Sequence, residues 1–197
     1  MKSINLFFSL ILISVNFHIF AQKSNEVDLY YGISKTDFIR RAVDGGSNYN
    51  MESYKEYGFK YLYRLSENTR IETGFNYAQG KIKITPEYMG VPVQSRFEKL
   101  KLYSIPIYIN YTFWKYLYLN GGAIIDIQSS SNDIDSQSGI GLSAGFGIKY
   151  KLKNFIVFVN PNIKIHSFQS ILQGDNKYRL IESGVQIGLG YQFNSKK

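Results

Sequence analysis

Cysteine is absent from the 197 residues of this chain, which excludes disulfides and metal sites built on thiolates. Because no cysteine follows the N-terminal apolar segment, a lipid-anchored lipoprotein is excluded as well. Proline occurs only 4 times, and no later segment has the continuous apolar run of a membrane helix. Glycine is common, but it alternates along extended segments and opens no helix, so there is no phosphate-binding glycine loop.

The first residues are typical of a secretory signal peptide. Lys2 precedes an apolar stretch, Ala21 suits the last position before cleavage, and a polar segment follows. We therefore predict a signal peptide at 1–21 and one mature domain at 22–197. A retained membrane anchor is the alternative, which the short apolar run, interrupted by Ser9 and Ser14, disfavours.

Residues 139–152 show the pattern that recurs through the rest of the chain. Ile140, Leu142, Phe146 and other apolar residues alternate there with glycine, serine and lysine. A period of two indicates a β-strand with one apolar and one polar face. The segment is longer than the ~5–6 residues usual in soluble domains. It suffices to cross a membrane, which takes ~9–11 tilted residues.

Eight segments alternate in this way, and the connections between them alternate in length. Short turns follow the second, fourth and sixth segments, whereas long polar loops follow the first, third, fifth and seventh. Bacterial outer-membrane barrels have such short periplasmic turns and long extracellular loops. The chain is therefore predicted to be all-β, an eight-stranded antiparallel up-and-down transmembrane β-barrel after an N-terminal signal peptide. We expect it in the bacterial outer membrane with both termini in the periplasm. The predicted strands are 26–35, 53–65, 69–84, 96–113, 116–128, 139–152, 154–168 and 178–193.

Aromatic residues cluster toward the turn ends of these strands, and a looser set lies toward the loop ends. Belts of aromatic side chains at both membrane–water boundaries are expected of such barrels. The β-propensity of Tyr and Phe explains their number but not their clustering. The turn-end set is Tyr61, Tyr63, Tyr111, Phe113, Trp114, Tyr116, Tyr118, Tyr150, Phe155, Tyr191 and Phe193.

Two segments carry a resemblance to known families: the strand 102–111, with Ile105-Pro106, and the alternating ending from Val185 to Phe193. The chain resembles the small eight-stranded outer-membrane barrels of OmpA and OmpX type. More narrowly, it is similar to the PorT-like outer-membrane β-barrel domain family, which shares no single activity. The resemblance implies that Tyr191 and Phe193 belong to a C-terminal signal read by the barrel-assembly machinery.

If the apolar face meets lipid, the other face lines the barrel. An eight-stranded barrel has an interior just wide enough to be filled by side chains. Charges buried there have to be paired, since an isolated one costs several kcal/mol. We expect glycines on strands five, six and eight to leave room for long charged side chains, which gives a plugged lumen and not a diffusion pore. The expected polar network of the lumen is Glu56, Lys60, Arg64, Arg70, Glu72, Asp126, Lys149, Lys164, His166 and Glu182.

Strands three and four are predicted to continue beyond the membrane, because Ile82, Ile84, Leu100 and Leu102 prolong their inner face. Lysines on the outer face of this hairpin and of the adjacent strand would then lie at the outer leaflet. We hypothesise that they contact lipopolysaccharide phosphates. The alternative is a solvated extension whose lysines protect an edge. The lysines concerned are Lys55, Lys81, Lys83, Lys99 and Lys101.

The sequence leaves three functions open. The first is a non-enzymatic integral outer-membrane protein, without cofactor or metal, that serves envelope structure or binds through its extracellular loops. The second is a barrel enzyme that acts on outer-membrane lipid. Its candidate base is His166, but Ser167 is expected on the opposite face of the strand, out of reach. The third is a soluble, lipocalin-like periplasmic carrier with the apolar face inside.

The net charge of +8 indicates anionic partners. A secreted chain meets lipid headgroups and not nucleic acid, so we expect no nucleic-acid binding. The expected partners are outer-membrane lipid and lipopolysaccharide and, during insertion, the barrel-assembly machinery. We expect the protein to be a monomer.

Overall fold

Eight β-strands make up nearly all of the chain that a computed structural model describes, which comprises residues 24–40, 48–86, 94–130, 136–170 and 178–194. The predicted signal peptide at 1–21 and part of each predicted long loop lie outside these ranges. Within the described ranges, no helix is long and apolar enough to span a membrane. The strands are β1 (Ser24–Arg40), β2 (Asn48–Arg64), β3 (Thr69–Thr85), β4 (Arg96–Phe113), β5 (Leu117–Gln128), β6 (Gly139–Leu152), β7 (Phe155–Ser170) and β8 (Tyr178–Asn194).

The strands form a closed antiparallel barrel in chain order, which confirms the predicted fold class. Each strand pairs with the next, and β8 pairs with β1 to close the ring. The stagger of the barrel can be read from the paired residues. Followed from one strand to the next around the ring, the pairs that start at Glu26 of β1 return to β1 at Thr36, ten residues further along. A stagger of this size tilts strands by about 35–45° to the barrel axis, as in small membrane barrels.

The apolar face of the barrel looks outward. Leu29, Ile109 and Leu189 are 63–66% exposed, whereas Lys60 and Glu182 inside are 3% and 1% exposed. A sheet with this polarity matches hydrocarbon outside and hydrogen-bonding groups inside. A lipocalin-like carrier needs an apolar interior, so that third alternative is wrong.

Five strands rise above the other three at the loop end. β1, β2 and β8 extend beside β3 and β4, so parts of the predicted loop at 36–52 are strand. In this extension, which we call the tall wall, the inner face is apolar. Phe38, Tyr49 and Met51 pack against its buried cluster of Tyr54, Ala78, Ile82, Ile84, Leu100, Leu102 and Leu180.

Three aromatic rings fill the interior at glycine positions of neighbouring strands. Tyr30 lies opposite Gly58, and Phe158 lies opposite Gly188. Tyr118 lies opposite Gly147 and is buried with Tyr30 and Phe158, so its assignment to the outer aromatic belt is wrong. The glycines therefore accommodate rings as well as the charged side chains that the sequence predicted.

Candidate functional site

Lys164 lies at the centre of a continuous network of charges inside the barrel. Its ammonium bridges Glu56 and Glu182, with Nζ 3.0 Å from the Glu182 carboxylate. Lys164 and Glu182 are direct cross-strand partners of β7 and β8, whereas Glu56 reaches over from β2. All three side chains are buried, so each charge depends on the others for compensation.

His166 continues the network toward the loop end. Its Nδ1 lies 2.9 Å from Asp126, and its Nε2 lies 3.1 Å from Glu182. Ser104 and Ser34 donate hydrogen bonds to Asp126 and Glu182 respectively. Both ring nitrogens are thus held by carboxylates, and the imidazole is 2% exposed.

Lys60 continues the network toward the turn end. It lies 3.1 Å from Glu72 and donates a hydrogen bond to the Gln186 side chain, which in turn donates to Glu56. Asn110 and Asn120 donate to the Glu72 carboxylate. A chain of contacts therefore runs from Asp126 to Glu72 along the lumen, as such an interior requires.

The remaining predicted lumen residues lie near the turn end and join the network less closely. Arg70 is 3.9 Å from Glu26, and Arg64, which is half-buried, donates to the Ser24 hydroxyl. The Nζ of Lys149 is buried and has no hydrogen-bond partner among the described residues, although it lies 5.4 Å from the Tyr118 ring. All ten predicted residues face the interior, but they do not form a single ion-paired unit.

Sequence reasoning missed several interior groups. Glu26 and Asp28 of β1 are buried, as are Asn110 and Asn120. The signal for the two acids was available, because both lie on the face opposite the lipid-facing Leu29. The amides carry the same signal, opposite the outward Ile109 and Leu119, but their contact with the distant Glu72 could not be predicted from it.

Ser167 is not on the face that strand alternation predicted. The register of β6 and β7 shifts between Ile140 and Leu142, and Ser167 adopts a φ of 48° at this bulge. The bulge turns the Ser167 side chain inward beside His166, and both are buried. The Ser167 hydroxyl is directed to the Ser138 carbonyl at 3.5 Å, while His166 contacts carboxylates. The pair therefore has no nucleophile–base hydrogen bond.

The loop end of the lumen is covered. Above the ion pairs lies the apolar cluster of the tall wall. Gln137, which follows β5, is fully buried, and its backbone N–H donates to the Gln128 side chain. The Leu180 N–H donates to the Gln137 amide oxygen, which fastens this segment to β8. Among the described residues, no group of three or more His, Cys, Asp or Glu side chains could hold a metal ion.

The five predicted outer lysines lie on adjacent strands of the tall wall and point away from the lumen. Lys81 of β3 pairs across the ladder with Lys99 of β4, and Lys55 pairs with Gln79, which pairs with Lys101. Four of the lysines line a cleft of about 260 Å³ with Ser53 and Phe97. Lys83 lies further up the wall, opposite Phe97.

Aromatic rings lie on the outer face at both ends of the barrel. At the turn end, Phe155 and Phe193 contact Tyr191 with ring centroids 5.3 and 4.9 Å away. At the loop end, the ring centroids of Tyr77 and Tyr103 are 5.2 Å apart. The residues of the proposed assembly signal, Tyr191 and Phe193, thus have half-exposed side chains at the turn end.

The chain belongs to the family of outer membrane protein beta-barrel domains, whose model matches residues 7–193. It is a bacterial outer-membrane β-barrel protein. The fold is similar to that of OprG from Pseudomonas aeruginosa, with 15% identity, a TM-score of 0.53 and coverage of 89% of this chain and 97% of that chain. The fold is also similar to that of Ail from Yersinia pestis, with 15% identity, a TM-score of 0.51 and coverage of 88% of this chain and 100% of that chain. The outer membrane protein AlkL, 12% identical, gives a TM-score of 0.54 over 91% of this chain and 94% of its own. No curated protein sequence matches significantly.

Proposed function

We propose that this protein is a closed, non-enzymatic outer-membrane barrel that acts through its outer surface, as envelope structure or as a binding surface. The observation that carries the proposal is the filled lumen. Ion pairs run along it, aromatic rings occupy its glycine positions, and an apolar cluster covers its loop end. A barrel filled in this way holds its shape without a route for solutes.

The orientation and the narrower family belong to the same proposal. Ser24 and Asn194, paired at the turn end, would lie in the periplasm, with the long loops outside. The resemblance to PorT-like barrels rests on the Ile105-Pro106 strand and the alternating ending. Recognition of Tyr191 and Phe193 by the barrel-assembly machinery remains a prediction.

The alternative of a lipid-acting enzyme is less well supported. His166 is buried between Asp126 and Glu182, so neither ring nitrogen is directed at the Ser167 hydroxyl or at the lipid-facing surface. Catalysis would require this network to open.

Single-channel recording tests the proposal. The purified barrel, refolded and inserted into a planar bilayer in concentrated KCl, should show no stepwise openings, because buried ion pairs occupy the lumen. A bacterial porin recorded in the same bilayer serves as the control for insertion and sensitivity. Reproducible steps from the unaltered protein would contradict the closed-barrel proposal.

A further inference from the structure

We propose that the outer cleft on β2, β3 and β4 binds the phosphate groups of a glycolipid in the outer leaflet, the lipopolysaccharide headgroup. The cleft is lined by Ser53, Lys55, Lys81, Phe97, Lys99 and Lys101. This inference rests on the proposed function, because it requires the loop end of the barrel to face the outer leaflet.

The strand register places the lysines directly above a row of aromatic rings. Tyr57, Tyr77 and Tyr103 are mutual partners across the three strands. One step of two residues further up each strand, about 6.6 Å along it, lie Lys55 and Lys101 with Gln79 between them. Tyrosine rings mark the level where hydrocarbon gives way to headgroups, so the ammonium groups lie at phosphate height.

The next step up brings two lysines face to face. Lys81 and Lys99 are direct cross-strand partners on one face of the sheet, so their side chains lie side by side along the cleft. An anion in the cleft could bridge both ammonium groups. Phosphate offers several strong acceptor oxygens for such bridging.

One carboxylate already contacts a lysine of the cleft. Glu52 lies 3.4 Å from the Lys81 ammonium, and both side chains are substantially exposed. Glu98 also borders the cleft, but its carboxylate lies 3.4 Å from Arg96. Four lysines therefore outnumber the acids, and the excess suits a ligand with more than one phosphate.

Phe97 gives the cleft an apolar side. Its ring is half-exposed, and the Lys81 ammonium lies 3.9 Å from the ring centroid. A cation held over a ring is positioned without being neutralised. The combination of ring and ammonium groups fits a phosphorylated sugar attached to acyl chains.

The competing explanation is that the lysines only protect a strand edge. The upper part of β4 extends beyond the last residue that pairs with β5, at Leu102, and charged side chains discourage pairing with another chain. That explanation predicts no dependence of lipid binding on these lysines.

The test compares two variants with equal loss of charge. The triple replacement Lys81→Gln, Lys99→Gln and Lys101→Gln alters the cleft, whereas Lys115→Gln, Lys151→Gln and Lys153→Gln alters exposed lysines near the turns at the opposite end. Each protein is placed in nanodiscs of neutral lipid and titrated with bis-phosphorylated lipid A. Since a lysine near an anionic surface contributes about fivefold in affinity, the cleft variant should bind on the order of 100-fold more weakly. The control should change less than about twofold.

A second variant guards against loss by misfolding. Glu52→Gln removes the carboxylate that competes for Lys81, so lipid A should bind severalfold more tightly. Equal binding by both triple variants, undiminished binding of dephosphorylated lipid A, or equal affinity for phosphatidylglycerol would each overturn the proposal. Lipid A titration and single-channel recording test separate proposals. A failure to bind lipid A would leave the closed-barrel proposal standing, and observed channel openings would not change the measured affinity for lipid A.

Discussion

At the scale of single residues, the interior depends on close approach between rings and glycines. A Cβ atom added at Gly147 would lie 2.2–2.5 Å from two ring carbons and the hydroxyl oxygen of Tyr118, far inside van der Waals contact. Tyr118 is itself packed with Tyr30 and Phe158, which limits its movement. Glycine at this position is therefore required by space in the lumen and not by backbone conformation.

We expect Gly147→Ala to destabilise the barrel by about 1–3 kcal/mol, the cost of overpacking a filled interior. Gly32→Ala is the matched control, because its added Cβ would lie no closer than 3.4 Å to Glu56 and Gln186. Urea unfolding of both variants from lipid vesicles measures the difference. If the two variants unfold alike, the ring does not require the glycine.

The buried lysines differ in their dependence on partners. Lys164→Met leaves Glu56 and Glu182 without their shared cation, and we expect a loss of about 3–5 kcal/mol in the free energy of unfolding. Lys149→Met removes a group without a hydrogen-bond partner among the described residues, so its cost should be about 1 kcal/mol or less.

Vesicle-based urea titration of both methionine variants checks this order. Adding Glu56→Gln to the Lys164→Met protein should recover part of the loss, because one buried charge is removed. A costlier Lys149 variant would show that the compensation of charge is distributed differently along the lumen.

At the scale of elements, the two faces of the tall wall have the opposite polarity to those of the membrane-spanning part of the barrel. Within the membrane each strand is apolar outside, but above it Ile82 and Leu100 point inward and Lys81 and Lys99 point outward. Since the outer face of this part is charged and does not meet hydrocarbon, its stability comes from the apolar cluster inside.

Leu100→Ala should therefore loosen the wall while leaving the membrane part intact. We expect a local cost of about 2–5 kcal/mol for truncating this fully buried residue. Amide hydrogen exchange at 82–84 and 98–102 should accelerate, while exchange near the turns stays unchanged. Ile39→Ala, at a residue 53% exposed on the outer face, is the control and should exchange as the unaltered protein does.

The strands within the membrane could be predicted because one periodicity persists along each of them. β6 begins and ends at the predicted residues, since Ile140 to Leu152 alternate without interruption. The tops of β1 and β2 were missed because the apolar residues change sides there, from Ile33 outside to Phe38 inside. Where the apolar residues move to the other face of a strand, the alternation of apolar and polar residues is interrupted, and the segment is predicted as a loop.

At the scale of the whole molecule, the sequence predicts which side chains face the interior but not which of them contact one another. Alternation identifies which side chains face inward, such as Lys164 and Glu56. Their contact joins residues 108 positions apart, and the register of the four strands between β2 and β7 decides it. The Ser167 side chain points inward because of a β-bulge that the residue types around it do not predict.

The pairing of β8 with β1 has a consequence for the assembly of the barrel. Glu182 arrives with the last strand and contacts Lys164, His166 and Ser34, while Leu180 completes the apolar cover above. Until β8 pairs with β1, Lys164 and His166 lack the acid that they share, and the ring has an open seam. Closing the ring and completing the interior are therefore one step, and a barrel whose seam is still open would offer a leak that the closed protein does not.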